Sequence, residues 1–151
     1  LSGNKRIAAD YIAGINMLSN MRLCSNVPAQ SIVQTALGGH QSVRDYIAPG
    51  GRIYEQREYI YQALRDIPGI TAVKPKAAFY IFPKLDIRKF HIKDDEKFVL
   101  DLLKDKKILL IHGGGFNWNQ PDHFRVVYLP RLEVLKESVE KIADFLSYYH
   151  Q

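Results

Sequence analysis

Near its C-terminal end the chain reads Asp122-His123-Phe124-Arg125-Val126-Val127-Tyr128-Leu129-Pro130. Because side chains alternate between the two faces of a β-strand, Phe124, Val126 and Tyr128 are predicted to share one apolar face. Arg125 falls on the opposite face. The stretch therefore predicts a strand that carries one cation among apolar side chains.

A guanidinium in such a strand needs an anionic partner, because a buried charge without one is costly. One interpretation of Arg125 is a structural ion pair with an acid such as Asp86 or Asp94, which is the commoner fate of a strand arginine. The other is a clamp for the carboxylate of a substrate, since the planar fork of arginine suits two parallel hydrogen bonds to an anion.

The composition indicates a globular chain with a mixed surface charge. Its 151 residues are 46% hydrophobic, enough to bury a core, and 21 basic residues against 16 acidic ones give a net charge of +5. The two signs alternate in stretches such as 86–97, which is typical of a solvated surface and argues against a nucleic-acid footprint. We therefore expect no nucleic-acid partner.

Cys24 is the single cysteine, so an internal disulfide is impossible and a reducing cytoplasm is the expected compartment. No apolar run reaches the length of a membrane span, and no secretory signal precedes the first predicted helix. The sequence begins at Leu1 without an initiator methionine. We expect it to be a piece of a longer protein.

The first part of the chain is predicted to be almost entirely helical. Apolar spacing predicts a helix over 6–23, which Asn4 is placed to cap, and a second helix over 28–39 with a proline in its first turn. A third helix is predicted to begin near Ser42. The Pro49-Gly50-Gly51 sequence should kink or split it.

The second part of the chain predicts a small sheet covered by helices. The stretches 70–74 and 78–82 are rich in β-branched and aromatic residues and are predicted to pair antiparallel. Three more elements are expected between these stretches and the C-terminus: a helix capped by Asp94 or Asp95, an apolar strand over 108–111 and a helix over 132–146. The expected fold class is α/β of the α+β type.

Few other patterns suggest a chemical site. Gly113-Gly114-Gly115 is not followed by the residues of a phosphate-binding loop, so a turn between two strands is the preferred interpretation. The five histidines lie too far apart in sequence to predict a metal site. The aromatic residues Phe79, Tyr80 and Phe82 are interpreted as packing in the core.

Three stretches, taken together, resemble the C-terminal part of the class I pyridoxal-phosphate aminotransferases of fold type I. They are Met21–Gln30, Lys74–Pro83 and Asp122–Val127. They occur in the family's order, and the resemblance extends over essentially the whole chain. It is greatest to the bacterial glutamate–pyruvate (alanine) aminotransferases.

The resemblance implies a two-domain, homodimeric enzyme whose small domain closes over the substrate. Residues 1–39 would form the end of the large domain and the start of the bridging helices, and residues 40–151 the small C-terminal domain. Arg125 would bind the α-carboxylate while an amino group moves between alanine or glutamate and the 2-oxo acids pyruvate and 2-oxoglutarate. Ser25 and Asn26 match a segment that approaches the neighbouring subunit in dimeric relatives, although capping of the next helix explains them equally well.

The resemblance also implies what the chain lacks. The lysine that forms the Schiff base with pyridoxal phosphate belongs to a Ser-x-Ser-Lys segment that nothing here matches. We therefore expect no catalytic and no cofactor-binding residue in this chain, and no transamination by it alone. The alternative hypothesis is a separate, non-catalytic binding or regulatory module with the same small-domain fold.

Overall fold

The computed structural model describes residues 8–22 and 24–151. The chain divides into two units, Leu1–Ser42 and Val43–Gln151. The first contains α1 (Ala9–Asn20) and α2 (Val27–Gly38), as the apolar spacing predicted. The expected beginning of the first helix, its cap at Asn4 and its end at Leu23 lie outside the described residues.

The sequence before α2 explains where that helix begins. The side chain of Asn26 accepts a hydrogen bond from the backbone N–H of Ala29 at 3.1 Å, and Pro28 lies in the first turn. This confirms that Asn26 caps the helix. Neither α1 nor α2 has a buried residue among those described. The assignment of residues 1–39 to a large domain stays a prediction.

In the second unit, the predicted third helix is split into α3 (Val43–Ile47) and α4 (Arg52–Arg65). The break falls at Pro49-Gly50-Gly51, as expected. A Cβ added to Gly51 would lie 2.2 Å from the backbone oxygen of Asp45, so only glycine fits this tight connection.

All strand pairs in the described part of the chain are antiparallel. One sheet has two strands, β1 and β3, and the other has three in the order β2-β5-β4. The strands are β1 (Ile70–Thr71), β2 (Tyr80–Ile81), β3 (Lys84–Leu85), β4 (Ile111–His112) and β5 (Phe124–Val127). The central strand β5 is the one that carries Arg125.

The predicted pairing of the stretches 70–74 and 78–82 is wrong. β1 pairs with β3, which places Ile70 opposite Leu85, and β2 pairs with β5, which places Ile81 opposite Val126. All four of these side chains are buried. Each strand therefore takes the partner that lets it bury an apolar side chain, and the sequence pattern of a single strand does not specify that partner.

Helices α5 (Asp95–Lys106) and α6 (Leu132–Tyr148) complete the layer that covers the sheet. Asp94 caps α5 by accepting a hydrogen bond from the N–H of Lys97 at 2.9 Å, as predicted. The predicted strand over 108–111 is shorter than expected, since only Ile111 of that range is in β4. Among the described helices, none combines the length and the apolar character needed to cross a membrane.

The two faces of β5 differ as the alternation predicted. Phe124 and Val126 are buried in the core beneath the helices, whereas Arg125 is half-buried and Val127 is exposed on the other face. The second unit is an α/β fold with a small antiparallel sheet covered by helices, which confirms the predicted fold class. The sheet thus presents Arg125 on the face that does not pack on the core.

Two leucines of α5 should differ in how much they contribute to the free energy of unfolding. Leu102 is 0% exposed and Leu100 is 43% exposed. We expect Leu102→Ala to lower the free energy of unfolding by about 2–5 kcal/mol, because it removes buried methyl groups and leaves a cavity. Leu100→Ala should cost less than about 1 kcal/mol. Denaturant unfolding measures both, and equal losses would contradict this placement of α5.

Candidate functional site

Arg125 lies in the middle strand of the three-stranded sheet. Its Cα is opposite that of Ile111 in β4, and on the other side of β5 Val127 is opposite Tyr80 of β2. The outward face around Arg125 is mainly apolar, since Ile111 and Val127 are both exposed. A cation at this position therefore lies among groups that cannot neutralise it.

Within residues 8–22 and 24–151, Arg125 forms no salt bridge and no hydrogen bond, and its Nε is buried without a partner. Asp86 instead accepts hydrogen bonds from the backbone N–H groups of Arg88 and Lys89, and Asp94 caps α5. The interpretation of Arg125 as a structural ion pair with Asp86 or Asp94 is therefore wrong.

Two aromatic rings hold the guanidinium in place of an acid. Its Cζ lies 4.7 Å from the ring centroid of Tyr80 and 4.2 Å from that of Phe116. Each such contact contributes about 0.5–2 kcal/mol and leaves the N–H donors available to an anion. Tyr80 is 45% exposed and Phe79 is also exposed, so interpreting these two residues as core is wrong.

Phe116 belongs to the loop that follows β4, where Gly113–Phe116 form a 3₁₀ turn. The N–H of Gly113 donates to the backbone oxygen of His123 at 2.8 Å, and that of Gly114 donates to Asp95 Oδ2 at 2.8 Å. Amides already engaged in this way, next to a carboxylate, do not suit a phosphate. The predicted turn is confirmed, and this loop does not fit the phosphate of a cofactor.

A buried carboxylate organises the other end of this loop. Asp122 is 5% exposed, and its Oδ1 accepts a hydrogen bond from Trp118 Nε1 at 2.8 Å and lies 2.6 Å from His123 Nδ1. Lys84 Nζ lies 3.4 Å from its Oδ2. Burial alone would raise the pKa of the Asp122 carboxyl, but the contacts with His123 and Trp118 outweigh it and lower the pKa below its ordinary 3.8.

Aromatic rings connect this carboxylate to the neighbourhood of Arg125. The ring of Phe82 stacks on His123 with centroids 4.8 Å apart and meets the edges of Trp118 at 5.9 Å and Phe116 at 6.2 Å. No residue spacing in the sequence predicted that these rings would cluster. The one local signal of the cluster is a tryptophan four residues before an Asp-His pair. No group of three or more potential ligands in the described ranges is placed to hold a metal.

The lowered pKa of Asp122 makes a prediction about acid stability. A carboxyl whose pKa is depressed in the folded state stabilises the protein above its unfolded pKa of about 3.9, and this contribution is lost as the pH falls through the lower folded pKa. We expect Asp122→Asn to reduce stability at about pH 7 and to flatten the loss of stability below about pH 4. Denaturant titrations over this range measure both effects, and parallel curves for the two proteins would contradict the prediction.

Comparison with known proteins shows which family this chain resembles. No profile of a known protein family matches the chain, but individual proteins do. The chain is 56% identical over 151 residues to the glutamate–pyruvate aminotransferase AlaA of Haemophilus influenzae, a match that covers 100% of this chain and 37% of the relative. A crystal structure of an aminotransferase from Escherichia coli matches with a TM-score of 0.83 and 54% identity, over 100% of this chain and 37% of that one.

An alanine aminotransferase structure from Pyrococcus furiosus matches with a TM-score of 0.73 and 37% identity, over 92% of this chain and 34% of that one. The chain thus spans little more than a third of the length of its relatives. The chain corresponds to the C-terminal part of the class I aminotransferases of fold type I, and within them it is similar to the bacterial glutamate–pyruvate and alanine aminotransferases.

Proposed function

We propose that the intact protein is a pyridoxal-phosphate-dependent aminotransferase that moves an amino group between alanine or glutamate and the 2-oxo acids pyruvate and 2-oxoglutarate. The names of the relatives from Haemophilus influenzae and Pyrococcus furiosus support this reaction. In this proposal the chain supplies Arg125, which binds the α-carboxylate of each substrate.

The proposal rests on the guanidinium of Arg125, which has no acidic side chain beside it among the described residues. Arg125 is half-buried and its Nε is buried without a hydrogen-bond partner, and among residues 8–22 and 24–151 the rings of Tyr80 and Phe116 are the groups that offset its charge. Leaving a buried donor unpaired costs about 1–3 kcal/mol, more for a charged group. A substrate carboxylate would relieve this cost by accepting hydrogen bonds from the guanidinium.

The chemistry of the clamp fits both substrates. An amino acid and the corresponding 2-oxo acid share a carboxylate on the carbon next to the reacting centre, so one arginine serves both directions of transfer. Two parallel N–H···O bonds fix the position and the orientation of that carboxylate. Covering the apolar surface around Arg125 would exclude water and strengthen the ion pair.

The cofactor would be held elsewhere in the intact enzyme. Pyridoxal phosphate, when bound, supplies the electron sink that makes the α-carbon reactive. The glycine loop of this chain does not fit its phosphate, because the Gly113 and Gly114 amides are engaged internally. We infer that the Schiff-base lysine and the phosphate site belong to the remaining part of the protein, and that this chain alone does not transaminate.

The same proposal assigns the two parts of the chain. Residues 1–39 would belong to the large domain and the bridging helices, and residues 40–151 to the small domain. The exposed apolar side chains of α1 and α2 are the kind of surface that a larger domain or a second subunit covers. We therefore propose a homodimer, and the single cysteine of the chain supports a reducing, cytoplasmic compartment.

Replacing Arg125 in the intact enzyme tests the clamp. Arg125→Leu should reduce kcat/KM for alanine roughly 10²- to 10⁴-fold, the equivalent of two charged hydrogen bonds at about 1.5–3 kcal/mol each. Arg125→Lys should recover only part of this loss, because an ammonium keeps the charge without the planar fork. Steady-state kinetics give these values, and the absorption of the bound cofactor should stay unchanged.

A matched control is available near the end of the same strand. Arg131 is exposed and lies at the start of α6, so Arg131→Leu should alter kcat/KM by less than about twofold. If Arg125→Leu were as active as Arg131→Leu, Arg125 would not be the carboxylate clamp.

A further inference from the structure

The orientation of Arg125 depends on its two ring contacts, since the described residues provide its side chain with no hydrogen-bond acceptor. A planar fork binds a carboxylate through two bonds only when its plane has the correct direction. The groups that fix Tyr80 and Phe116 therefore also fix the direction from which a carboxylate is bound.

The two rings are held by different means. Tyr80 lies in β2, where pairing with Val127 of β5 determines its place. Phe116 lies in a turn whose first three residues are glycines, and the residue is 42% exposed. Glycines provide no side chain for packing and allow many backbone conformations. The bonds of Gly113 and Gly114 hold the start of the turn, and the ring of Phe82 meets that of Phe116. The chain after Phe116 needs a further anchor to hold the ring against Arg125.

Trp118 and Asp122 form this anchor. Trp118 follows Phe116 by two residues, and its indole N–H donates to the buried Oδ1 of Asp122 at 2.8 Å. Its backbone N–H donates to Gly113 at 3.2 Å, which closes the turn. Both ends of the turn are thus tied to the segment that leads into β5.

Asp122 is itself fixed to the sheet. The backbone N–H of Leu85 in β3 donates to the backbone oxygen of Asp122 at 2.7 Å, and β5 begins two residues later. Its side chain reaches the loop, while its backbone is part of the framework that carries Arg125. Asp122 therefore links the loop to the strand that carries Arg125 through its side chain and its backbone.

We propose that Asp122 and Trp118 are positioning residues for the carboxylate clamp, acting through Phe116 on the guanidinium of Arg125. This inference rests on the proposed function, since it assumes that Arg125 binds carboxylate. Neither residue touches the substrate in this proposal. Loss of the Trp118–Asp122 hydrogen bond lets the ring of Phe116 leave the guanidinium, and the fork loses its preferred direction.

The test uses the intact enzyme with bound cofactor and compares two probes, propionate and its neutral amide, propionamide. Trp118→Phe keeps an aromatic ring but removes the N–H donor, and Asp122→Ala removes the acceptor. Each should weaken propionate binding about tenfold, which is less than the roughly 100-fold that a 1 Å misplacement can cost. Propionamide binding should not change, and the KM for alanine should rise more than kcat falls.

Asp122→Asn is the matched control. An asparagine retains an oxygen in the position of Oδ1, so it can still accept from Trp118 and should bind propionate within about twofold of the unaltered enzyme. Thermal unfolding of each variant shows whether it is folded. The conservative variant should therefore restore the binding that Asp122→Ala loses.

A double-mutant cycle with Phe116→Leu tests the route of the effect. If Asp122 and Trp118 act through the ring of Phe116, then Trp118→Phe should have little further effect once that ring is absent. Fully additive losses would overturn the positioning role, and so would propionate affinities of Trp118→Phe and Asp122→Ala within twofold of the unaltered enzyme. If Arg125→Leu itself bound propionate normally, the clamp and thus the proposed function would fail instead.

Discussion

The candidate site depends on one constraint: a half-buried guanidinium on an apolar strand must have its charge offset. The fold places Arg125 on the outward face of the central strand, away from every described acid that could neutralise it. Two ring faces take the place of an acid, and rings attract a cation without occupying its hydrogen-bond donors as a carboxylate would. Under the proposed function, the hydrogen-bond donors that the rings leave unoccupied are the ones that bind the substrate carboxylate.

The rest of the second unit provides rigidity for this arrangement. Phe124 and Val126 anchor the inner face of β5 in a core that includes Phe98, whose ring lies 5.8 Å from that of Phe124. The neighbouring strands bring Tyr80 to one side of Arg125 and the glycine turn to the other. A buried carboxylate, Asp122, joins that turn to the sheet. The position of one outward cation thus follows from the packing of the inward face.

The sequence predicted the features that depend on interactions between residues close together along the chain. The alternation of apolar side chains gave the strand around Arg125 and its two faces, and Asn26 and Asp94 marked the beginnings of two helices. The three motifs gave the family. The pairing of β1 was predicted wrongly, and Tyr80 was interpreted as a core residue although its ring lies on the outer face. The strand pairing and the burial of Tyr80 both depend on which residues far away in the sequence pack beside these segments.

By itself, the sequence determined that a cation lies in an apolar strand, that helices cover a small sheet, and that the chain resembles the C-terminal part of the class I aminotransferases. Helix caps and strand alternation are set by interactions between residues a few positions apart, so they can be read along the chain. Only the tertiary structure showed that Arg125 has no acidic partner among the described residues and that Asp122 accepts a hydrogen bond from the loop carrying Phe116. These facts depend on which strands lie side by side, and that choice is made by the burial of the whole core rather than by any one segment.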